Sequence, residues 1–285
     1  MQSINTNFAG LVAQRNLSKS AATLTTTIER LSSGLRVNSA KDDAAGLAIA
    51  EKMNSQIRGQ EVAKRNANDG ISFLQVADGA LGTVSDNLQR MRDLAVQASN
   101  GTLTLDDRNN LQKEFGELSD EINRVVGSTK FNGVSVFGAS GATAVDIQIG
   151  ANKNGTGAAA TEVLQVTTSA FTTDLATVTG TAASNVGIDT ISDAQTTLAN
   201  LDTFIKNVTT ERANYGAKIN RLDSVISNLD TNTTNLSTAR GRIVDADFAK
   251  ESAALTRTQI LQQAGTSMLS QANQIPQGVL SLLGR

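Results

Sequence analysis

From Leu17 the apolar positions advance in alternating steps of four and three, through Ala21, Leu24, Ile28, Leu31 and Leu35. A heptad seam of this kind commits a segment to an α-helix that buries one narrow stripe against another helix. The pattern recurs at Leu74, Ala77, Leu81, Val84, Leu88, Met91, Ala95 and Ala98, and again at Leu111, Phe115, Leu118, Ile122 and Val125. Towards the C-terminus two more follow: Tyr215, Ile219, Leu222, Ile226, Leu229, Thr233 and Leu236, then Leu261, Gly265, Met268, Ala272, Ile275, Val279 and Leu282. Five seams separated by turn signals predict helices packed lengthwise in a bundle. The segment from Leu74 to Asn100 alone would extend roughly 40 Å at ~1.5 Å per residue.

Between the third and fourth seams the period changes. Phe131-Asn132-Gly133-Val134-Ser135-Val136-Phe137-Gly138 and Val145-Asp146-Ile147-Gln148-Ile149-Gly150 alternate apolar with polar residues around Asn-Gly and Gly punctuation. They read as the two strands of one hairpin-like unit. Residues 151–190 are rich in Ser and Thr, with Glu162-Val163-Leu164-Gln165-Val166 as a short strand-like run. This stretch reads as a small exposed excursion, weakly ordered or a minimal subdomain. Helix resumes near Ser192-Asp193-Ala194, where an N-cap is available, and Thr104-Leu105-Asp106-Asp107 opens the third helix with acids in its first turn. The fold class is therefore mainly α, a long helical coiled-coil bundle with a small β-hairpin and irregular central insertion.

Composition excludes whole classes of chemistry. His and Cys are absent, which removes imidazole bases, thiolate nucleophiles, disulfides and the commonest transition-metal ligands. No cofactor is implied, and an enzyme is not expected. The carboxylate pairs Asp42/Asp43 and Asp106/Asp107 could suggest acid-base or cation chemistry, but adjacent acids at helix starts are far more often capping and dipole partners. The formal net charge of −2 does not suggest nucleic acid. It is unevenly spread, net +4 over residues 1–41 and net −4 over 142–210. No apolar run approaches the ~20 residues that cross a bilayer, and the first thirty residues hold no signal-peptide apolar stretch. Membrane insertion is not expected, and export would use another route.

Several motifs resemble the bacterial flagellins. Ile4-Asn5-Thr6-Asn7 and the run Leu31-Ser32-Ser33-Gly34-Leu35-Arg36-Val37-Asn38-Ser39-Ala40-Lys41-Asp42-Asp43-Ala44-Ala45-Gly46-Leu47 look like the family's amino-terminal signature. Ala239-Arg240-Gly241-Arg242-Ile243-Val244-Asp245-Ala246-Asp247-Phe248, Gln259-Ile260-Leu261-Gln262-Gln263-Ala264-Gly265 and Gln271-Ala272-Asn273-Gln274-Ile275-Pro276-Gln277 resemble its carboxyl counterpart. The resemblance covers about residues 2–152 and 205–285 and implies a layered subunit. Residues 1–43 with 244–285 would form an inner terminal coiled-coil layer. Residues 44–150 with 191–243 would form a helical layer that includes the hairpin, and 151–190 a short variable surface excursion.

The resemblance also implies a function: a subunit that polymerises into the flagellar filament, exported unfolded by the flagellar type III pathway and located outside the cell. A hook–filament junction protein or another type III secreted coiled-coil protein is the alternative. The expected partners are further copies of the chain, an export chaperone, the cap and hook-associated proteins, and, for the monomer, the host receptor Toll-like receptor 5. Assembly is assigned to the seam residues Leu17, Leu24, Ile28, Leu31, Leu35, Leu261, Met268, Ile275, Val279 and Leu282. Receptor binding is carried over to Gln89, Arg90, Leu94 and Gln97 within Leu88-Gln89-Arg90-Met91-Arg92-Asp93-Leu94-Ala95-Val96-Gln97, together with Glu114. Leu94 lies off the heptad seam and is expected to be free to meet a partner. Gln262, Gln263, Gln271, Gln274 and Gln277 form a polar stripe that suits either a solubilising helix face or a wettable channel lining, and Ser/Thr residues at 167–184 are candidates for O-glycans.

Overall fold

The structure is a computed structural model describing residues 6–137, 143–152, 162–168 and 187–283, with the backbone alone for 143, 168 and 275–283. Five helices and four short strands account for most of the described residues: α1 (Phe8–Ser33), α2 (Ala44–Ala98), α3 (Leu105–Ser128), β1 (Lys130–Phe131), β2 (Val134–Ser135), β3 (Thr143–Gln148), β4 (Val163–Thr168), α4 (Ile191–Val244) and α5 (Phe248–Leu283). They divide between a terminal unit, residues 1–55 with 234–285, and a central unit, residues 56–233.

In the terminal unit α1 and α5 run antiparallel. The Asn7 side chain donates to the Ala272 carbonyl at 2.9 Å, Leu17 lies against Gly265, and Arg30 pairs with Glu251 at 3.5 Å. Asn7 also caps α1 by accepting from the Gly10 N–H, and Gly34, at φ 72°, closes it with its N–H on the Arg30 carbonyl. Gly suits this left-handed position because it has no Cβ to clash there. Beyond the cap, Leu35 and Asp245 form a single β-bridge, and the Arg36 guanidinium donates to the Ile243 carbonyl at 2.6 Å. The acids that follow are caps, as their position suggests. The Asp42 carboxylate accepts from the N–H groups of Asn38 and Ser39 and from the Ser39 hydroxyl, while Asp43 accepts from Gly46 at the start of α2.

The central unit packs α2, α3 and α4 around one core in which Leu74, Leu81, Leu88, Met91, Phe115, Ile122, Leu201 and Phe204 are fully enclosed. Along α2 the inward row is Ala63, Ala67, Gly70, Leu74, Ala77, Leu81, Val84, Leu88, Met91, Ala95 and Ala98, a heptad pattern held over the whole unit. The helix therefore starts thirty residues before the Leu74 seam. Its first half is inconspicuous in sequence because the inward positions there are Ala and Gly, which pack closely but carry little hydropathy. A capping box opens α3, with Thr104 and Asp107 each accepting from the other's N–H. The cap of α4 lies two residues before Ser192, at Thr190, whose hydroxyl accepts from the Asp193 N–H at 3.1 Å. Hydrogen bonds from Thr104 and from Ser39 hold Asp107 and Asp42 below the usual aspartate range. The stability these caps add is thus present above that range and is lost as pH falls through their lowered values.

The strands form two hairpins rather than one. Strands β1 and β2 pair across Asn132-Gly133, whose φ angles of 49° and 80° define the turn that Asn-Gly favours. Strand β3 pairs instead with β4, from Thr143 opposite Thr168 to Gln148 opposite Val163. Val163, Leu164 and Val166 are buried on this ladder, so the strand-like run at 162–166 belongs to the central core. The run 145–150 does supply a strand, but 131–138, read as a single strand, turns back on itself at Asn132-Gly133, and β3 finds its partner in β4, which helps cover Ile147 and Ile149.

Polar groups interrupt the α4 seam at Glu211 and Tyr215. Glu211 is buried and accepts from the Asn214 amide at 3.2 Å, and the wholly buried Tyr215 hydroxyl lies beside Glu211 without a hydrogen bond of good geometry. Burial, with the neighbouring Glu211 charge, pushes that phenol well above the ordinary tyrosine value. An unsatisfied buried hydroxyl costs about 1–3 kcal/mol. Tyr215→Phe should therefore stabilise the central unit by about 1 kcal/mol, read as a higher thermal midpoint. A lower midpoint would show that the hydroxyl is satisfied in solution.

Candidate functional site

Two surfaces carry the residues singled out in the sequence. The first belongs to the terminal unit, where the inward residues of α1 are Gly10, Ala13, Leu17, Ser20, Leu24, Thr27 and Leu31. Leu17, Leu24, Leu31 and the adjoining Leu35 are half-buried, but Ile28 is not on this face. Thr27 takes the inward position at 4% exposure and Ile28 is left 49% exposed. On α5 the inward row is Glu251, Leu255, Thr258, Gln262, Gly265, Leu269 and Ala272. Leu261 and Met268 point away, at 50% and 64% exposure. The apolar residues of this helix are not confined to one stripe, and a two-helix contact selects the row whose small residues allow the closest approach. Ile275, Val279 and Leu282 lie in the part of α5 whose side chains fall outside the described residues, as does Gln277. Of the remaining glutamines, Gln262 sits in the inward row while Gln263, Gln271 and Gln274 are exposed.

The outcome is a partly inverted distribution. The α1–α5 contact mixes Gly10, Thr27, Thr258, Gly265 and Ala272 with leucines, while Phe8, Leu11, Val12, Ile28, Phe248, Ile260, Leu261 and Met268 are exposed. Apolar surface on this scale marks a place where another chain sits. Phe8, Val12, Leu17, Leu261 and Met268 line one open groove of about 570 Å³ along the pair.

The second surface is on the central unit. Gln89, Arg90 and Gln97 are exposed on α2, and the Arg90 guanidinium reaches Glu114 on α3, with Nη2 2.6 Å and Nε 2.8 Å from Oε1. The fold thus brings Arg90 and Glu114 together. Two positions on, Arg92 pairs with Asp202 of α4 at 2.6 Å, so the face spans three helices. Leu94 is not on it: at 1% exposure it belongs to the core. Helix α2 packs against two helices at once and buries a second row, Phe73, Ala80 and Leu94, beside the heptad seam. A stripe counted for one partner helix misses this row. Among the described residues no cluster of three or more Asp and Glu could hold a metal ion, and no helix is long and apolar enough to cross a membrane.

Comparison with known proteins gives the family. The family model of the bacterial flagellin N-terminal helical region matches residues 4–142, and that of the bacterial flagellin C-terminal helical region matches 198–283. A flagellin of Xenorhabdus nematophila is 42% identical over 98% of this chain and 98% of its own length. The chain belongs to the bacterial flagellin family. A flagellin of Halalkalibacterium halodurans is 44% identical over 98% of this chain and 99% of its own. Among solved structures, Bacillus cereus flagellin is similar at 34% identity, covering 62% of this chain and 94% of its own with a TM-score of 0.49. The N-terminal match includes α1 of this flagellin and the C-terminal match includes α5.

Proposed function

We propose that this flagellin is the structural subunit of a bacterial flagellar filament, exported by the flagellar type III pathway and polymerised outside the cell. The observation that carries the reading is the inverted α1–α5 pair. A helical pair that hides Thr27 and Gly265 and exposes Ile28, Leu261 and Met268 completes its burial only against further copies. Repetition of one head-to-tail contact then yields an open filament rather than a closed ring. Residues 1–43 with 244–285 act as the inner assembly layer, and 44–150 with 191–243 as the layer outside it. Capture by an export chaperone, before the cap and hook-associated proteins are met, would keep this apolar face covered in transit.

Seeded growth tests the reading. Monomer added to flagellar fragments should form long tubes visible by negative-stain microscopy. Short terminal additions that stop would indicate a junction protein, and no addition would leave another secreted coiled-coil protein. In the same samples, hydrogen exchange should be fast over about residues 1–40 and 245–285 in monomer and slow in filament, because a lone pair of helices of this composition is marginal in water. Strong protection of both ends in monomer would sink the coupled folding and assembly.

Recognition of the monomer by Toll-like receptor 5 is assigned to the α2–α3 face, with Gln89, Arg90, Gln97 and Glu114 as its accessible residues. Leu94, buried, supports them from below. The Arg90–Glu114 fork holds a planar donor array on two rigid helices, the arrangement that makes Arg a frequent interface anchor. Arg90→Ala should cost on the order of 2 kcal/mol in receptor binding. A cell reporter assay in which this variant and the wild-type monomer signal with equal potency would remove the assignment.

A further inference from the structure

An oxidant meets few vulnerable groups in this chain. Cys, Trp and His are absent, and the single tyrosine, Tyr215, is fully enclosed in the central core. What remains are the thioethers of Met1, Met53, Met91 and Met268. Met1 lies outside the described residues, and the other three differ sharply in access. Met91 is wholly enclosed in the central core, Met53 near the start of α2 is half-buried, and Met268 on α5 is 64% exposed. Oxidation of a sulfur follows its exposure, because the oxidant has to reach it from solvent.

Place matters as much as access. Met268 lines the groove of about 570 Å³ along the α1–α5 pair, together with Phe8, Val12, Leu17 and Leu261, and the polar side chains of that groove are Asn16 and Ser20. We infer that Met268 is the oxidation site of the free subunit, and that its sulfoxide hinders the subunit from joining a filament. A peroxide supplies the oxygen. The sulfur lone pair attacks one oxygen of hydrogen peroxide, the S–O bond forms as the O–O bond breaks, and the departing hydroxide takes the remaining proton and leaves as water. The thioether loses two electrons and the peroxide gains them. The product puts a strongly polar group where a flexible apolar side chain stood. Once water is excluded a sulfoxide oxygen needs a hydrogen-bond donor, and most of the groove lining has none to offer. A neighbouring copy seated on the groove would also shield the sulfur, so oxidation falls on subunits not yet in place. The consequence for growth rests on the filament reading, whereas the choice of Met268 over the other methionines does not.

The test treats full-length monomer with hydrogen peroxide for graded times and maps its peptides by mass spectrometry. Met268 sulfoxide is expected about tenfold faster than Met91 sulfoxide, and ahead of Met53. Seeded growth of the same samples should slow about fivefold when Met268 is fully oxidised. Methionine sulfoxide reductases A and B, with dithiothreitol as reductant, should restore it, since the two enzymes together reduce both sulfoxide epimers. Oxidation of Met53 or Met91 as fast as Met268 would overturn the proposal, and so would undiminished growth of monomer whose Met268 is fully oxidised. Met268→Leu, compared with its own untreated sample, should lose no growth rate on treatment. A loss equal to that of the wild type would place the effect on another methionine and overturn the assignment. Should this variant not assemble at all, recovery of the wild type in step with reduction at Met268 decides the matter instead. If untreated wild-type monomer fails to extend seeds, the filament reading fails, and the peptide map still decides whether Met268 is the preferred site.

Discussion

A chain cut after Ile260 is expected to keep its central unit folded and to add nothing to filament seeds. The deletion removes Gly265, Leu269 and Ala272 from the inward row of α5, and with them the residues opposite Gly10, Ala13 and Leu17. It also removes Leu261 and Met268 from the exposed apolar face. Helix α1 then has no partner over its first half, and helices of this length are marginal alone. None of the central core lies in the deleted segment. Circular dichroism should therefore show a reduced helical signal, with a thermal transition of the central unit close to that of the full chain. Light scattering on addition of seeds should stay flat. Growth at the wild-type rate would mean that residues 261–285 are dispensable for assembly.

Leu94→Ala is expected to lower the stability of the central unit by about 3 kcal/mol, within the usual range for a buried Leu cut to Ala. The side chain is 1% exposed in the row that α2 buries beside its heptad seam. Chemical denaturation followed by circular dichroism would measure the loss, and a change under about 1 kcal/mol would show that Leu94 is less enclosed than the fold implies. Arg90→Ala should cost little by the same measurement, because its pair with Glu114 is solvent-exposed on both sides. The two variants thus separate two causes of weak receptor signalling. A weakened response from Leu94→Ala reports a loosened helix, whereas one from Arg90→Ala at unchanged stability reports a lost contact.

Helix class and the α3 cap were legible in the residues, since heptad steps and a Thr-x-x-Asp start are local signals. The phase of the terminal pair was not. Reading Ile28, Leu261 and Met268 as the inward row follows from ranking positions by hydropathy. The fold instead turns Thr27, Thr258, Gly265 and Ala272 inward among the leucines, so small residues hold positions that a hydropathy ranking gives to larger ones. The first half of α2 escaped notice for a related reason, its inward row being Ala63, Ala67 and Gly70. Leu94 and the pairing of β3 with β4 depend on a second packing partner, which no periodicity along a single segment encodes. On the central unit, the resemblance names Arg90 and Glu114 together, and the structure shows the two hydrogen-bonded across α2 and α3.

Tyr215 is the single tyrosine in a chain without tryptophan. It is fully enclosed in the central unit. Near-ultraviolet absorbance above the phenylalanine bands and intrinsic emission therefore originate from one ring in one place. Such signals are blind to the terminal unit, so an ordering of α1 and α5 during polymerisation would leave them almost unchanged while the far-ultraviolet helical signal rises. Divergence between the two optical records, taken on one sample as it assembles, would time the folding of the ends against a central unit already formed, with no label attached.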